Sequence, residues 1–325
     1  MTCTKSVVLP VGIDEAFTLI TDPERLRRWK TVTARVDLRV GGEYRFTINP
    51  GHVARGTYRV VEPGRRIVFG WGWDGDDALP PDTSTVTISV EPTDGGTLVT
   101  LTHEGLTAEQ EASHQVGWDH YLDRLTLAAT NGDAGLDEWV AVPDRMDELT
   151  AAEASLAVLQ SVLRGLTPED RPKPTPCTEF TCHDLAEHLL GSMTAFGAMA
   201  GTTVIDPRTG SIEDRVATMA AQALEGWRIR GLDGTVPAPG GGAMPATFAA
   251  SIMPVEFMLH GWDLAQGSGQ AFPASDELVA YVHKLAEQVV PGGRGTSFGE
   301  EVVPPASAGP MERLAAFAGR QPVAA

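Results

Sequence analysis

The stretch Ala34-Arg35-Val36-Asp37-Leu38-Arg39-Val40-Gly41-Gly42-Glu43-Tyr44-Arg45-Phe46-Thr47-Ile48 repeats with a strand's period of two. Ala34, Val36 and Leu38 alternate with Arg35, Asp37 and Arg39. After Gly41-Gly42, Tyr44, Phe46 and Ile48 take up the alternation again. Successive strand side chains point to opposite faces, so each half predicts a strand with one apolar face. The glycine pair predicts the hairpin between them.

The same reading extends outward on both sides. Asn49-Pro50-Gly51 turns the chain into a strand from Ala54 to Val60, and Pro63-Gly64 turns it into another from Ile67 to Trp73. A polar loop, Gly75 to Asp82, precedes strands at Ser84–Glu91 and Thr97–Glu104, joined by the turn Thr93-Asp94-Gly95-Gly96. Toward the N-terminus, Cys3–Leu9 is extended, Gly12–Ile20 is helical, and Asp22-Pro23 opens a second short helix that Trp29 closes. Thr107 caps a long helix to Ala129, with Gln110 three residues on and Trp118, Leu122 and Leu125 as its apolar stripe. An antiparallel sheet of this kind must cover one face. A curved sheet diverging from a long helix leaves a gap suited to an apolar ligand. His103, His114 and His120 read as structural or surface residues, and Trp29, Trp71, Trp73 and Trp118 as core.

Five motifs carry a resemblance. They are Asp22-Pro23-Glu24-x-Leu26-x-x-Trp29, Gly41-Gly42-x-Tyr44-x-Phe46 with Gly56-x-Tyr58, Pro63-x-Arg65-x-Ile67-x-Phe69-x-Trp71, and His114-x-x-Gly117-Trp118-x-x-Tyr121-Leu122. Together they resemble the Hsp90-ATPase-activator-like branch of the START-related helix-grip (SRPBCC) superfamily over roughly residues 5–130. The resemblance implies a helix-grip fold and small-molecule binding, and it specifies no chemistry.

Near residue 140 the period changes from two to about 3.6. We expect a domain over residues 1–135 and a second over 145–325, joined by a short tether containing Pro143. Helices are predicted at Glu148–Leu166, at Cys182 to about Ala200 behind Thr181, and from Ser211 to about Arg230. Another starts between Pro245 and Pro254, and a shorter one spans Asp276–Val290. A terminal turn or two follows at Met311–Phe317. Four helices with apolar faces make a bundle, so the fold class is α+β: a helix-grip domain followed by an all-α four-helix bundle with a small extension. Pro237-Ala238-Pro239-Gly240-Gly241-Gly242 reads as a flexible connection, since it lacks the Lys-Ser/Thr ending of a phosphate loop.

Glu256 and His260 stand four apart and share one helical face. Such residues are either an exposed pair or two ligands of one metal. His188, on another helix, is the candidate for the third. A zinc-like divalent ion suits this set, and nickel, iron or manganese also fit. His183 and Glu187 form a rival pair that reads as solvated. Asp263 either supports a ligand histidine by a hydrogen bond or sits at the helix exit. Cys177 reads as a structural thiol, and Cys182 lies off the face of His188.

Thr175-Pro176-Cys177-Thr178-Glu179-Phe180, Asp184-Leu185-x-x-His188-Leu189 and Glu256-x-x-x-His260-x-Trp262-Asp263-Leu264-Ala265 resemble the DinB-like family related to mycothiol-dependent maleylpyruvate isomerase. Phe298-Gly299-x-x-Val302-x-x-Pro305 and Arg313-Leu314-x-x-Phe317-x-Gly319-Arg320 resemble the tail of its actinobacterial branch. The resemblance covers roughly residues 148–323. It implies that His188, Glu256 and His260 hold a divalent metal, most simply zinc, and act in catalysis through it. It implies mycothiol as a co-substrate and a thiol transferase or isomerase acting on a small electrophile. The alternative is a non-catalytic small-molecule-binding or stress-response protein with a structural metal.

The chain has 325 residues, a net charge of -18 and no large basic cluster, so nucleic acid and anionic membranes are not expected partners. Three cysteines argue against a disulfide scaffold, and no apolar run spans a bilayer or follows the N-terminus as a secretion signal. The expected location is cytoplasmic. The expected partner is a small hydrophobic or electrophilic molecule, a homodimer is allowed, and a chaperone partner is not expected.

Overall fold

In the computed structural model, residues 1–238 and 241–322 are described. The chain divides into two compact units, Met1–Asp137 and Glu138–Ala325.

The first unit begins with β1 (Thr2–Leu9), α1 (Ile13–Thr21) and α2 (Pro23–Leu26), whose N-terminus is capped by Asp22 ahead of Pro23. β2 (Thr33–Val36), β3 (Glu43–Asn49), β4 (His52–Glu62), β5 (Arg66–Trp71), β6 (Ser84–Thr93) and β7 (Gly96–Glu104) follow. Among the described residues these strands form one antiparallel seven-stranded sheet in the order β1-β7-β6-β5-β4-β3-β2. The inward positions Tyr44, Phe46, Ile48, Ile67, Phe69, Val86, Ile88 and Val90 are buried, as period-two patterning requires. Register irregularities between Thr47 and Asn49 and between Tyr58 and Val60 bend the sheet. α3 (Ala108–Asn131) starts with a complete capping box between Thr107 and Gln110 and buries Trp118, Tyr121, Leu122, Leu125 and Ala128. A Cβ on Gly56 would stand 2.1 Å from the Gly70 carbonyl oxygen, so the strands close here only around glycine. The Tyr44 hydroxyl donates to that carbonyl at 2.8 Å.

One strand is shorter than its alternation predicts. β2 stops at Val36, and Leu38 and Val40 are exposed. The chain from Asp37 to Gly42 bonds locally: the Asp37 amide donates to the Glu43 carbonyl, and the amides of Arg39 and Gly42 donate to the carbonyls of Asp37 and Arg39. These bonds replace a two-residue hairpin.

The second unit starts with a short helix, α4 (Glu138–Ala141), in the expected tether. α5 (Glu148–Gly165), α6 (Cys182–Met199), α7 (Ile212–Arg230) and α8 (Ala246–Ser268) form a bundle in which α5 packs on α7 and α8, and α6 packs on the same two. Asp147, Thr181 and Ser211 cap α5, α6 and α7. Two short strands that the sequence does not announce, β8 (Thr235–Pro237) and β9 (Ala243–Pro245), pair ahead of α8. They flank the glycine-rich connection, of which Pro239 and Gly240 lie outside the described residues. α9 (Asp276–Val289) and α10 (Pro310–Phe317) complete the unit. α8 is apolar almost all round, which is the composition of a helix at the centre of a bundle. Pro254 lies inside it and has no amide to donate to the preceding turn. Among the described residues no helix is long and apolar enough to cross a membrane.

Candidate metal centre

α6 and α8 bring the three predicted ligands together. Donor atoms of His188, Glu256 and His260 all lie within 4.8 Å of one another. His188 Nε2 is 3.1 Å from Glu256 Oε1, and His260 Nε2 is 3.5 Å from Glu256 Oε2. Two ligands on a tetrahedral ion with bonds of about 2.0–2.1 Å stand roughly 3.3 Å apart, so this spacing fits a zinc-sized ion. The two imidazoles are nearly perpendicular, with centroids 5.2 Å apart.

The surroundings hold each ligand in place. Ser192, one turn after His188, donates to Glu256 Oε1 at 2.5 Å. Burial alone would raise the Glu256 carboxyl; the charge of His260 and the hydrogen bonds from His188 and Ser192 hold it down at about 2. The hydrogen bond to Glu256 raises His188, against burial. His260 turns its other nitrogen, Nδ1, to Asp263 Oδ2 at 3.1 Å. That bond leaves Nε2 free to face Glu256. Asp263 is completely buried, and Arg320 Nε lies 3.4 Å from the same oxygen. Arg320 also reaches the Cys177 sulfur at 3.5 Å.

The cluster forms one wall of a cavity of about 400 Å³. Phe180, Phe196, Ile252 and Leu259 are among its apolar lining, and His188, Glu256 and Arg320 among its polar lining.

 His188 keeps 38% of its side chain exposed, so the ligand cluster faces the cavity and is not sealed in the bundle. Cys177 also lines the cavity. Burial pushes its thiol up to about 11, against the pull of the Arg320 guanidinium, so it stands as a neutral thiol near pH 7. Cys177, His260 and Asp263 form a second group of donor atoms within 4.8 Å of one another.

Other sequence readings meet different outcomes. Glu187 pairs with Arg215 at 3.1 Å, and His183 is exposed. Cys182 is buried against the close approach of Gly267 and is in neither donor group. Sequence reasoning missed Ser192. A lone serine at the spacing i, i+4 from a histidine is too common to stand out, and only the approach of α8 gives it a partner. Arg320 was visible only as part of a tail motif, because its contact with Asp263 spans 57 positions.

In the first unit the histidines follow another logic. His103 is fully buried and accepts from the Trp118 indole at 3.2 Å through Nδ1, so its Nε2 carries the proton and faces Ser84 at 2.9 Å. Burial, with smaller effects from His114 and Lys30, lowers it to about 3. His114 accepts from the Trp71 indole at 3.3 Å and turns Nδ1 to the Gln110 carbonyl at 2.8 Å. His120 bonds Asp137 at 2.9 Å. Trp29, Trp71 and Trp118 are core, and Trp73 is half-buried.

Residues 10–129 match the family model described as "Activator of Hsp90 ATPase homolog 1-like protein" (AHSA1). The first unit is an AHSA1-like helix-grip domain. Among solved structures, an AHSA1-like protein from Rhizobium etli is 38% identical, with 45% of this chain and 91% of that chain covered and a TM-score of 0.37. The Aha1 dimer from Colwellia psychrerythraea is 16% identical, with 41% of this chain and 98% of that chain covered and a TM-score of 0.37. Two curated relatives, both uncharacterized proteins from strains of Mycobacterium tuberculosis, are 29% identical over 187 residues, covering 54% of this chain and 98% of the relative. The AHSA1 match corrects one expectation. A chaperone partner was not expected, yet the family matched by the helix-grip domain is described by activation of a chaperone ATPase. Charge and composition carry no information about that kind of partner, because a docking surface is assembled only by the fold.

Proposed function

We propose that the protein is a small-molecule-binding protein of the stress-response kind, with a divalent metal held in its helical unit by His188, Glu256 and His260. One observation carries this reading: three donor side chains from α6 and α8 converge within 4.8 Å on the wall of a cavity of about 400 Å³. The resemblance of the segments around Cys177, His188 and His260 to the DinB-like family supports it and makes the second unit a DinB-like bundle. The His, Glu, His set suits zinc. When bound, such an ion would act as a Lewis acid toward water, a thiol or a carbonyl in the cavity. The chain's own residues prepare the site. Glu256 stays ionised, Asp263 fixes the tautomer of His260, and Arg320 compensates the buried charge of Asp263.

The test is the metal content of the purified full chain against that of His188→Ala and Glu256→Gln. One metal per chain, lost in both variants while their helicity is unchanged, is the expected result. A metal-free native chain that folds and does not take up zinc, cobalt or nickel on addition would sink the proposal.

The exposure of His188 toward the cavity favours a second reading. A site open on one side leaves a coordination position for a thiol or water, as catalytic metal sites do. Here the protein is a metal-dependent thiol transferase or isomerase, with mycothiol as co-substrate and a small electrophile as substrate. Turnover of maleylpyruvate or an epoxide that requires both thiol and metal would establish it. Full metal loading without any such turnover would return the metal to a structural role.

The family matched by the helix-grip domain supports a chaperone partner for that domain. The measurement is the ATPase rate of Hsp90 with and without the full chain. An unchanged rate together with no co-elution would dismiss this partner.

A further inference from the structure

The cavity beside His188, Glu256 and His260 has two unlike ends. α6 and α8 run antiparallel. A Cβ on Gly267, near the end of α8, would stand 2.7 Å from the sulfur of Cys182, which opens α6. Further along, the Phe196 ring lies 6.4 Å from that of Phe257. The lining residues His188, Ser192, Ala195, Phe196 and Met199 recur at helical spacing and form one face of α6. On α8, Ile252 lies one turn before Glu256 and therefore nearer the end of α6. The polar lining gathers at the other end. Glu179 adjoins Phe180, whose ring is 5.1 Å from that of His188. Thr296 and Ser297 adjoin Phe298, whose ring centroid is 5.8 Å from the Arg320 guanidinium. Beyond Ser192 and Glu256, among the described residues, the wall is Ala195, Phe196, Met199 and Ile252.

The apolar end has length as well as composition. Met199 stands two turns beyond Ser192, roughly 10 Å along the helix axis. Ala195 is exposed and Ile252 half-buried, so apolar surface faces an open cavity that a hydrocarbon would cover. No charged side chain of the lining reaches this end to meet a second polar group. The polar end has a definite charge. Glu256, Asp263 and Arg320 together carry one negative charge, which a divalent ion at the three donors turns into one positive charge. One anionic group restores neutrality there, and a second would not. Glu179 is exposed, and water screens it.

We propose that this cavity takes an amphipathic chain molecule, with one singly charged metal-binding head at His188, Glu256 and His260 and an unbranched hydrocarbon tail running between α6 and α8 to Met199 and Ile252. This rests on the metal-binding reading of the helical unit and adds the class of ligand. The head is a carboxylate or a thiolate, since both carry one charge and bind a zinc-like ion. The tail is held by area alone, so each added methylene tightens binding until the apolar end is filled. A molecule charged at both ends is rejected, because its second charge would be buried against Met199 and Ile252 with no partner.

The experiment is calorimetry on the zinc-loaded full chain with butanoate, hexanoate, octanoate and octanedioate, and with hexanethiol beside hexanoate to name the head. Affinity is expected to rise about fourfold per methylene from butanoate to octanoate. Octanedioate is expected to bind at least about tenfold more weakly than octanoate. Two variants locate the tail. Ile252→Gln makes the far end polar, and Ala195→Trp fills the groove from an exposed position. Both should flatten the dependence on chain length while zinc content stays at the native value. A dependence that survives in both variants places the tail elsewhere and overturns the proposal, as does equal binding of octanoate and octanedioate. Zinc uptake with affinities independent of chain length overturns the ligand class and leaves the metal reading standing. A chain that takes up no zinc overturns both, since an anionic head would then face Glu256 with nothing to offset its charge.

Discussion

The two units bury histidines in opposite ways. In the helix-grip domain His103 is fixed between an indole donor and a serine, surrounded by rings, and lowered to about 3. In the bundle His188 sits against the Glu256 carboxylate and is raised. The residue type is the same, and the neighbours differ. Where the neighbours are aromatic, burial decides and the imidazole stays neutral as a packing element. Where a carboxylate and a second imidazole converge, charge decides and the group becomes a candidate ligand. A histidine therefore says little until its partners are known.

The largest expected effect breaks the first side of this comparison alone. Trp118→Ala removes a buried ring that contacts Trp71, Lys30 and His103, and should cost about 3–5 kcal/mol of helix-grip stability in urea denaturation. Metal content should be unchanged; a simultaneous loss of metal would show that the two sides are not independent.

The next effect breaks the other side. Glu256→Gln should weaken divalent-metal binding by more than about 100-fold in a chelator competition, with helix-grip hydrogen exchange unaltered. Asp263→Asn sharpens it further. The amide can leave His260 in the wrong tautomer, so affinity should fall by about 10–100-fold while Glu256 and His188 remain in place. Wild-type affinity in Asp263→Asn would remove that aspartate from the site.

pH gives the comparison a sign. The folded value of His103, about 3, lies below its ordinary 6.5, so the unfolded chain takes up the proton first. The helix-grip domain should lose stability as pH falls from about 6.5 toward 3, and His103→Gln should flatten that slope. His188 is raised, so in metal-stripped protein its contribution is full below its ordinary 6.5 and is lost as pH rises through its folded value. Hydrogen exchange followed separately in α3 and α8 reads both slopes; slopes of the same sign would refute the contrast. The smallest expected effect is local. Thr107→Ala removes the cap of α3 and should cost about 1 kcal/mol, seen as faster exchange in its first turn.

Much of this was legible in the sequence, for identifiable reasons. The strands of the first unit are half-buried, so one face alternates visibly from Tyr44 to Ile48 and from Val86 to Val90. The helix starts were legible because Thr107, Thr181 and Ser211 carry the caps in their own side chains. The Leu38 alternation misled because period two marks a strand only where a partner strand exists to pair with it, and β2 ends at Val36. Strands β8 and β9 escaped notice because three-residue ladders carry no periodicity. Nothing local in the sequence singles out Lys30, because its ring neighbours Phe46, Trp71 and Trp118 lie far from it along the chain.

The sequence by itself determined the order of elements, the change from sheet to helices and the shared face of Glu256 and His260, because these depend on neighbours within a few positions. The tertiary structure alone decided what faces those residues. It brought Ser192 and His188 to Glu256 across 64 and 68 positions, and Arg320 to Asp263 across 57. It also closed four rings around Lys30. The reason is physical: periodicity and capping are set by local backbone geometry, whereas desolvation and charge pairing depend on groups brought close only when the chain has packed.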